Sequence, residues 1–415
     1  MLASFDKAFK ESLITFGKHS YLRAVLIYGA NGSGKSSVLN AMAVMSRHVR
    51  ESYGRKIGDH LYIKRHKLHR DKPETFSISF EKNGVEYSYQ FSCDGKSYPE
   101  ESLYYKPEGR IAKLFTRTGK DVSYGTVFSS KDKAICKKEL TENRLLLSVA
   151  SNVISIPEIK CAFSYFKDDL FFEDNIYVIE RTSSEDSVAN AINDNPSIKE
   201  RIIKIFNQLG SDLVDILIED RQDDENLITN KEILTAKEYV AFSKLFGKQW
   251  KEAFESVFDR ILKYKVTMVY PDYSIELLDE SSGTMRLIMF LCSLISALDN
   301  GKTIICDELE AKFHPSLVKE LLKICLENRD STAQLVCTTH NTSLLDLNLV
   351  RRDQVYFTEL RKGEGVDRST DLYSLAEIRN VRNNENIQEG YLSGKYGAIP
   401  GIRFDESLFS DEEEY

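Results

Sequence analysis

Gly29-Ala-Asn-Gly-Ser-Gly-Lys-Ser36 lies between an apolar run and a helical pattern. It satisfies Gly-x-x-x-x-Gly-Lys-[Ser/Thr], the phosphate-binding loop, in the setting that the loop's mechanism requires. The run before it, Ala24 to Tyr28, is short, apolar and partly β-branched, which predicts a buried parallel strand. After Lys35, apolar residues recur at Val38, Leu39, Met42, Met45 and Val49, the spacing of one helix face. Glycines 29, 32 and 34 allow the backbone to curl round a phosphate, and the loop amides with the helix N-terminus supply positive potential. Lys35 is placed to reach the β- and γ-phosphates, and Ser36 to set its hydroxyl on Mg²⁺. Gly29, Asn31, Gly32, Ser33, Gly34, Lys35, Ser36 and Ser37 are therefore the candidate ATP contacts.

A second apolar run, Thr303 to Cys306, ends in Asp307-Glu308. A strand ending in two acids is common by itself, but paired with a phosphate loop it supplies the other half of an ATPase site. The first carboxylate serves Mg²⁺ and the second orients and polarises the attacking water. This assigns Asp307 to the metal and Glu308 as catalytic base. A further strand, Gln334 to Cys337, runs into Thr338-Thr339-His340. His340 can donate a hydrogen bond to a γ-phosphate, or be an ordinary polar loop residue.

Composition permits a globular chain of two to three structural units, since 415 residues with 42 % hydrophobic and 29 % charged side chains leave ample core. The net charge of −8 falls to near −2 without Asp405 to Tyr415, which holds six acids and no base. Such a balance does not point to non-specific nucleic-acid binding. Arg50 to Lys72, with eight Lys/Arg against three acids, reads as a solvated loop or as a local nucleic-acid patch. The apolar stretch Leu287 to Leu298 is too short to span a bilayer and predicts a buried helix. Charged residues at 6, 7, 10 and 11 stand where a secretory leader needs an apolar core, so the expectation is a cytoplasmic protein with no membrane partner. Seven cysteines without a Cys-x-x-Cys pair, mostly in apolar segments, read as buried thiols. His60, His66 and His69 lack nearby thiolates and read as loop residues rather than metal ligands.

Along the chain, residues 1–50 form the first half of an ATPase core. In 51–130, Phe76, Ile78 and Phe80 alternate before Asn83-Gly84, and Tyr87, Tyr89 and Phe91 alternate after it, predicting an antiparallel β-rich section. Residues 131–262 are dominated by helical patterns, among them Ile198 to Leu209 and Tyr239 to Phe254, with a polar break at Arg221 to Asn230. Residues 263–360 form the second half of the core, and 361–415 a C-terminal segment with an acidic tail.

Gly29 to Ser36, Glu280-Ser281-Ser282-Gly283-Thr284, Thr303 to Glu308, Glu310 to Pro315 and Thr338-Thr339-His340 resemble, in order, the Walker A, signature, Walker B, D-loop and switch-histidine elements of ABC-type ATPases. With Gly390-Tyr-Leu-Ser-Gly-Lys-Tyr-Gly-Ala-Ile-Pro400, the wording is similar to the stand-alone prokaryotic AAA/ABC-like ATPases of the abortive-infection type (RloA/AbiL-like). These are relatives of the overcoming-lysogenization-defect ATPases. The resemblance implies an α/β fold: a P-loop ABC-type ATPase head with a β-rich strip and a helical insertion between Walker A and signature. It also implies a homodimer closed around ATP, open to assembly into a higher oligomer, in which Ser281 and Gly283 of one copy meet the nucleotide of the other. Both residues are expected to precede a helix beginning near Arg286. No Gln is a convincing bridge between Mg²⁺ and the insertion, since Gln90 falls in an expected strand.

The resemblance implies a sensor or regulator in anti-phage defence that controls a separate effector, a nuclease or toxin. A DNA-repair clamp of the RecF kind is the alternative, and Arg50 to Lys72 is the stretch that would serve it. The C-terminal motif from Tyr391 to Pro400 reads either as packing against the ATPase sheet or as a docking element for a second protein.

Overall fold

The structure, a computed structural model, describes residues 3–4, 9–16, 19–63, 65–69, 71–173, 177–221, 263–311, 313–361, 368–382 and 385–399. The expected helical face from Tyr239 to Phe254, the polar break after Arg221 and the acidic tail lie outside the described residues.

The chain opens with a short antiparallel pair, β1 (Leu13–Phe16) and β2 (His19–Leu22), then β3 (Ala24–Gly29) and α1 (Lys35–Glu51). Next come β4 (Glu74–Lys82), β5 (Val85–Cys93), β6 (Glu100–Lys106), β7 (Ala112–Thr118) and β8 (Asp121–Tyr124), each antiparallel to the one before. The β4–β5 register pairs Phe76 with Phe91, Ile78 with Tyr89 and Phe80 with Tyr87, as the alternation predicts. Asn83 and Gly84 both take positive φ, the backbone of a two-residue hairpin turn.

Helices α2 (Ser130–Glu139), α3 (Leu146–Val153) and α4 (Pro157–Ser164) follow, then β9 (Leu170–Glu173), α5 (Tyr177–Asp194), α6 (Ser197–Gln208) and β10 (Asp215–Asp220). Helices predominate among the described residues of this section, but β9 is a strand of the main sheet, parallel to β13 (Thr303–Cys306). A four-residue apolar run does not declare its period, and its partner lies some 130 residues away, so nothing local marks it as a strand. β10 pairs with β11 (Tyr264–Val269), and β11 with β12 (Ser274–Glu276), in a separate antiparallel sheet. The remaining elements are α7 (Ser282–Asn300), β13, α8 (Pro315–Glu327), β14 (Gln334–Thr338), β15 (Val355–Leu360), β16 (Thr370–Ser374) and α9 (Ile387–Leu392).

The main sheet has the order β16-β15-β3-β14-β13-β9, parallel except for β16. Alternate residues of its strands feed two cores. Ala24, Leu26, Tyr28, Ile304, Cys306, Leu335 and Cys337 face one core with α5, α6, α7 and α8. Val25, Ile27, Ile305 and Val336 face the other, with α1, α3, α4 and the β4–β8 sheet. Coverage on both faces is why the strands read as continuous apolar runs, and each fully buried Leu or Ile here stabilises by about 1.5–3 kcal/mol. α7, the apolar helix foreseen at 287–298, buries Ile288, Leu291, Leu294, Ile295 and Leu298 in the first core. The β-rich sheet is tied to α3 by Glu101, whose buried carboxylate accepts from the Leu146 and Leu147 amides at 2.6 and 2.9 Å.

Candidate nucleotide site

Three parallel strands bring their C-terminal ends together in the order β3, β14, β13, and each delivers one expected motif. In α/β sheets this edge is where ligands bind. β3 delivers the phosphate loop. Gly29 and Gly34 have φ of +156° and +108°, and a Cβ at either would collide with Thr358 Oγ1 at 2.3 Å or Thr370 Oγ1 at 2.2 Å. Both glycines are therefore required by crowding from β15 and β16. The crest is open: Asn31 and Gly32 are exposed, and a Cβ at Gly32 would meet nothing within 4 Å.

α1 begins at Lys35 with Gly34 as N-cap, and no side chain caps it. The Ser37 and Val38 amides donate to the Gly34 carbonyl at 3.0 and 3.2 Å, which leaves the Lys35 and Ser36 amides to face the loop, as an anion site requires. Lys35 is buried and its Nζ donates to the carbonyls of Gly29 at 2.9 Å and Ala30 at 3.2 Å. Burial pushes its pKa down, while the carboxylates of Asp307, Glu308 and Glu310 pull it back up. The ammonium is therefore within electrostatic reach of the whole acidic side of the site. Ser36 and Ser37 are exposed in the first turn of α1. Ser33, expected among the nucleotide contacts, instead turns its hydroxyl inward to Thr358 Oγ1 at 2.6 Å, and its amide donates to the Ala30 carbonyl at 3.1 Å.

β13 delivers Asp307 and Glu308. Thr338, at the end of β14, donates to Asp307 Oδ1 at 2.5 Å and accepts from the Glu308 amide at 2.7 Å. Glu308 itself has φ +52°, in the left-handed region that a non-glycine residue enters at a cost of about 1–2 kcal/mol. The Ala311 amide, donating to its carbonyl at 2.9 Å, helps to hold that backbone. His340 is exposed, and its amide donates to Glu310 Oε1 at 2.5 Å, while Thr339 Oγ1 donates to Glu310 Oε2 at 2.6 Å. Glu310 thus fixes the segment that carries His340. Neither Glu310 nor Thr338 has an individual role in the sequence reading; the signals are the D-loop-like stretch that Glu310 opens and the Thr-Thr-His wording at a strand end.

The signature sits differently from expectation. α7 starts at Ser282, four residues before Arg286, because Ser281 caps it: its Oγ accepts from the Thr284 amide at 3.1 Å. Ser281 is exposed, and Gly283 lies within the first turn rather than before it. The side chain of buried Arg286 stacks over Phe313 at 5.5 Å, joining this helix start to the chain beyond Glu310. The phosphate loop, Asp307, Glu308 and His340 are gathered at one edge; Ser281 and Gly283 are at the start of α7. Gln90 is exposed in the middle of β5. In the basic stretch, Arg55 donates to the Tyr98 hydroxyl and Arg65 lies against Gly95, so part of that charge is used inside the fold.

Residues 25–346 match the family model described as an AAA domain, putative AbiEii toxin, Type IV TA system. The chain belongs to this family. It is an ATPase of the AAA/ABC type, and the match runs from the strand before the phosphate loop to just beyond His340. None of the curated proteins matches this AAA domain protein. Among solved structures, it is similar to an SMC head bound to the C-winged helix domain of ScpA, at 16 % identity over 86 % of this chain and 92 % of that one, with a TM-score of 0.41. An SMC head domain from Thermotoga maritima gives 13 % identity, 88 % and 95 % coverage, and a TM-score of 0.37. Superpositions this loose add nothing to what the strand order shows.

Proposed function

We propose that the protein binds ATP with Mg²⁺, hydrolyses it, and uses its nucleotide state to control a separate effector, a nuclease or toxin, in cytoplasmic anti-phage defence. The observation that carries the hydrolytic reading is the position of Lys35, at the foot of a glycine loop and within reach of the three carboxylates at 307, 308 and 310. The loop amides and Lys35 hold the phosphates. Ser36 and Asp307 offer the hard oxygen donors that suit Mg²⁺, which would neutralise phosphate charge there. Glu308 orients the attacking water and takes its proton, and His340 lies where it can sense the γ-phosphate.

The start of α7, where Ser281 and Ser282 are exposed and Gly283 is half-buried, has the helix-terminal potential to receive the γ-phosphate of a second copy, which makes a nucleotide-closed homodimer. The defence role rests on the description of the family and on the resemblance to abortive-infection ATPases of the RloA/AbiL kind.

Phosphate release by the wild-type protein, Lys35→Ala and Glu308→Gln tests the enzyme reading. Lys35→Ala should lose ATP binding, and Glu308→Gln should bind ATP, turn over slowly and accumulate as a dimer in light scattering. Hydrolysis by Glu308→Gln at the wild-type rate would remove the base assignment. Mixing Lys35→Ala with Ser281→Arg subunits should restore activity through one intact interface. Co-purification of the neighbouring gene's product tests the effector.

A further inference from the structure

The C-terminal segment 387–399 touches both arms of the site. Tyr391, in α9, stacks on Phe357 of β15 at 5.5 Å and meets Tyr28, the residue before Gly29, edge-on at 5.7 Å. Tyr396 stacks on the same Phe357 at 5.9 Å, and its carbonyl accepts from the Tyr373 hydroxyl at 2.8 Å. On the other arm, Gln388 Nε2 donates to Thr342 Oγ1 at 3.1 Å, two residues beyond His340. Tyr28 closes the circuit, its hydroxyl donating to the Asn341 carbonyl at 3.0 Å. The motif's glycines are explained by this packing. A Cβ at Gly390 would strike the Tyr396 hydroxyl at 2.5 Å and its ring at 2.7 Å, and Gly394 and Gly397 take φ of +81° and +72° in the turn that folds the ring back.

We propose that α9 positions the two arms of the nucleotide site, Tyr391 setting the root of the phosphate loop through Tyr28 and Gly29, and Gln388 setting the His340 segment through Thr342. The inference rests on the nucleotide reading above. Tyr391 is buried, and its hydroxyl donates to the Ala398 carbonyl at 3.4 Å. The phenol therefore links the C-terminal turn, through its hydroxyl, to Tyr28, through its ring. Both are positioning residues: each acts through the side chain it holds, Tyr28 or Thr342, and a change on one arm reaches the other through six residues of helix.

The test is a split of constants. Tyr391→Leu keeps an apolar side chain and loses the ring contact with Tyr28, so the Kd for a fluorescent ATP analogue should rise about threefold to tenfold, the scale of one aromatic pair, with kcat within about twofold. Gln388→Met keeps the volume and loses the amide; kcat should fall about threefold to tenfold with Kd within about twofold. Both constants staying within twofold in either variant overturns the proposal, as does a parallel loss of both constants with melting temperature in the two variants. Hydrogen exchange on the wild-type protein gives an independent reading. ATP should slow exchange in 387–397 together with 29–36. Protection of 29–36 alone overturns the proposal, whereas no protection of 29–36 removes the nucleotide reading itself, and the proposal with it.

Discussion

Thr338 and Asp307 are joined across neighbouring strands by a 2.5 Å hydrogen bond from the Thr338 hydroxyl to Asp307 Oδ1. The same hydroxyl accepts from the Glu308 amide at 2.7 Å, so one methyl-bearing side chain sets both acids of the site. Thr338→Val keeps the shape and removes both bonds. With about 1.5–3 kcal/mol for a hydrogen bond to a charged group, kcat should fall at least tenfold. Thr338→Ser should keep most activity. Steady-state phosphate release compares the three proteins.

Glu308 stands in a backbone conformation that favours glycine. Glu308→Gly should therefore be more stable than Glu308→Ala by about 1 kcal/mol, although both should be inactive. Urea midpoints of the two variants measure this. Equal midpoints would mean that the left-handed backbone is not retained in solution.

Gly34 has no room for a methyl group beside Thr370, and its φ of +108° suits no L side chain. Gly34→Ala should lose nucleotide affinity by about tenfold or more and lower the melting temperature. Thr370→Ala removes only the bond from its hydroxyl to the Ser33 carbonyl, 2.8 Å, and should cost about 1 kcal/mol. Calorimetric unfolding with and without ATP separates the two effects.

His48 of α1 is buried, with Nδ1 2.6 Å from the Tyr98 hydroxyl and Nε2 3.0 Å from the Tyr62 carbonyl. The carbonyl can only accept, so Nε2 donates and Nδ1 accepts. Burial lowers the pKa to about 4, against about 6.5 in an unfolded chain. A depressed pKa stabilises the fold above the unfolded value, and that stability, at most about 3 kcal/mol, is lost as pH falls from about 6.5 to about 4. His48→Gln should be less stable at pH 7 and show a flatter stability curve over that window. Urea denaturation at pH 7, 5.5 and 4.5 reads the slope.

Local patterns made the β3-loop-α1 unit, the β4–β5 hairpin and the Asp307-Glu308 strand legible, because each announces itself within about ten residues by period and turn chemistry. Contacts between distant segments were not legible. Nothing near Ser33 in the sequence says that its hydroxyl meets Thr358, 325 positions away. The signature helix was placed four residues late because Ser281 and Thr284 form a cap that short polar residues offer as readily to a turn. The wording of the C-terminal motif suits packing and docking equally; Tyr391 and Tyr396 pack on Phe357 of β15.

β3 is flanked by β14 and β15, both of which lie about 300 residues further along the chain. During synthesis at roughly 5–20 residues per second, its apolar residues leave the ribosome about 15–60 seconds before either neighbour exists. Through that interval the strand has two unpaired edges and the sequence of an aggregation-prone segment. The chain's first motif is thus among the last to be secured, so fragments ending before β14 should collect in inclusion bodies while the whole chain, given a holding chaperone, should not.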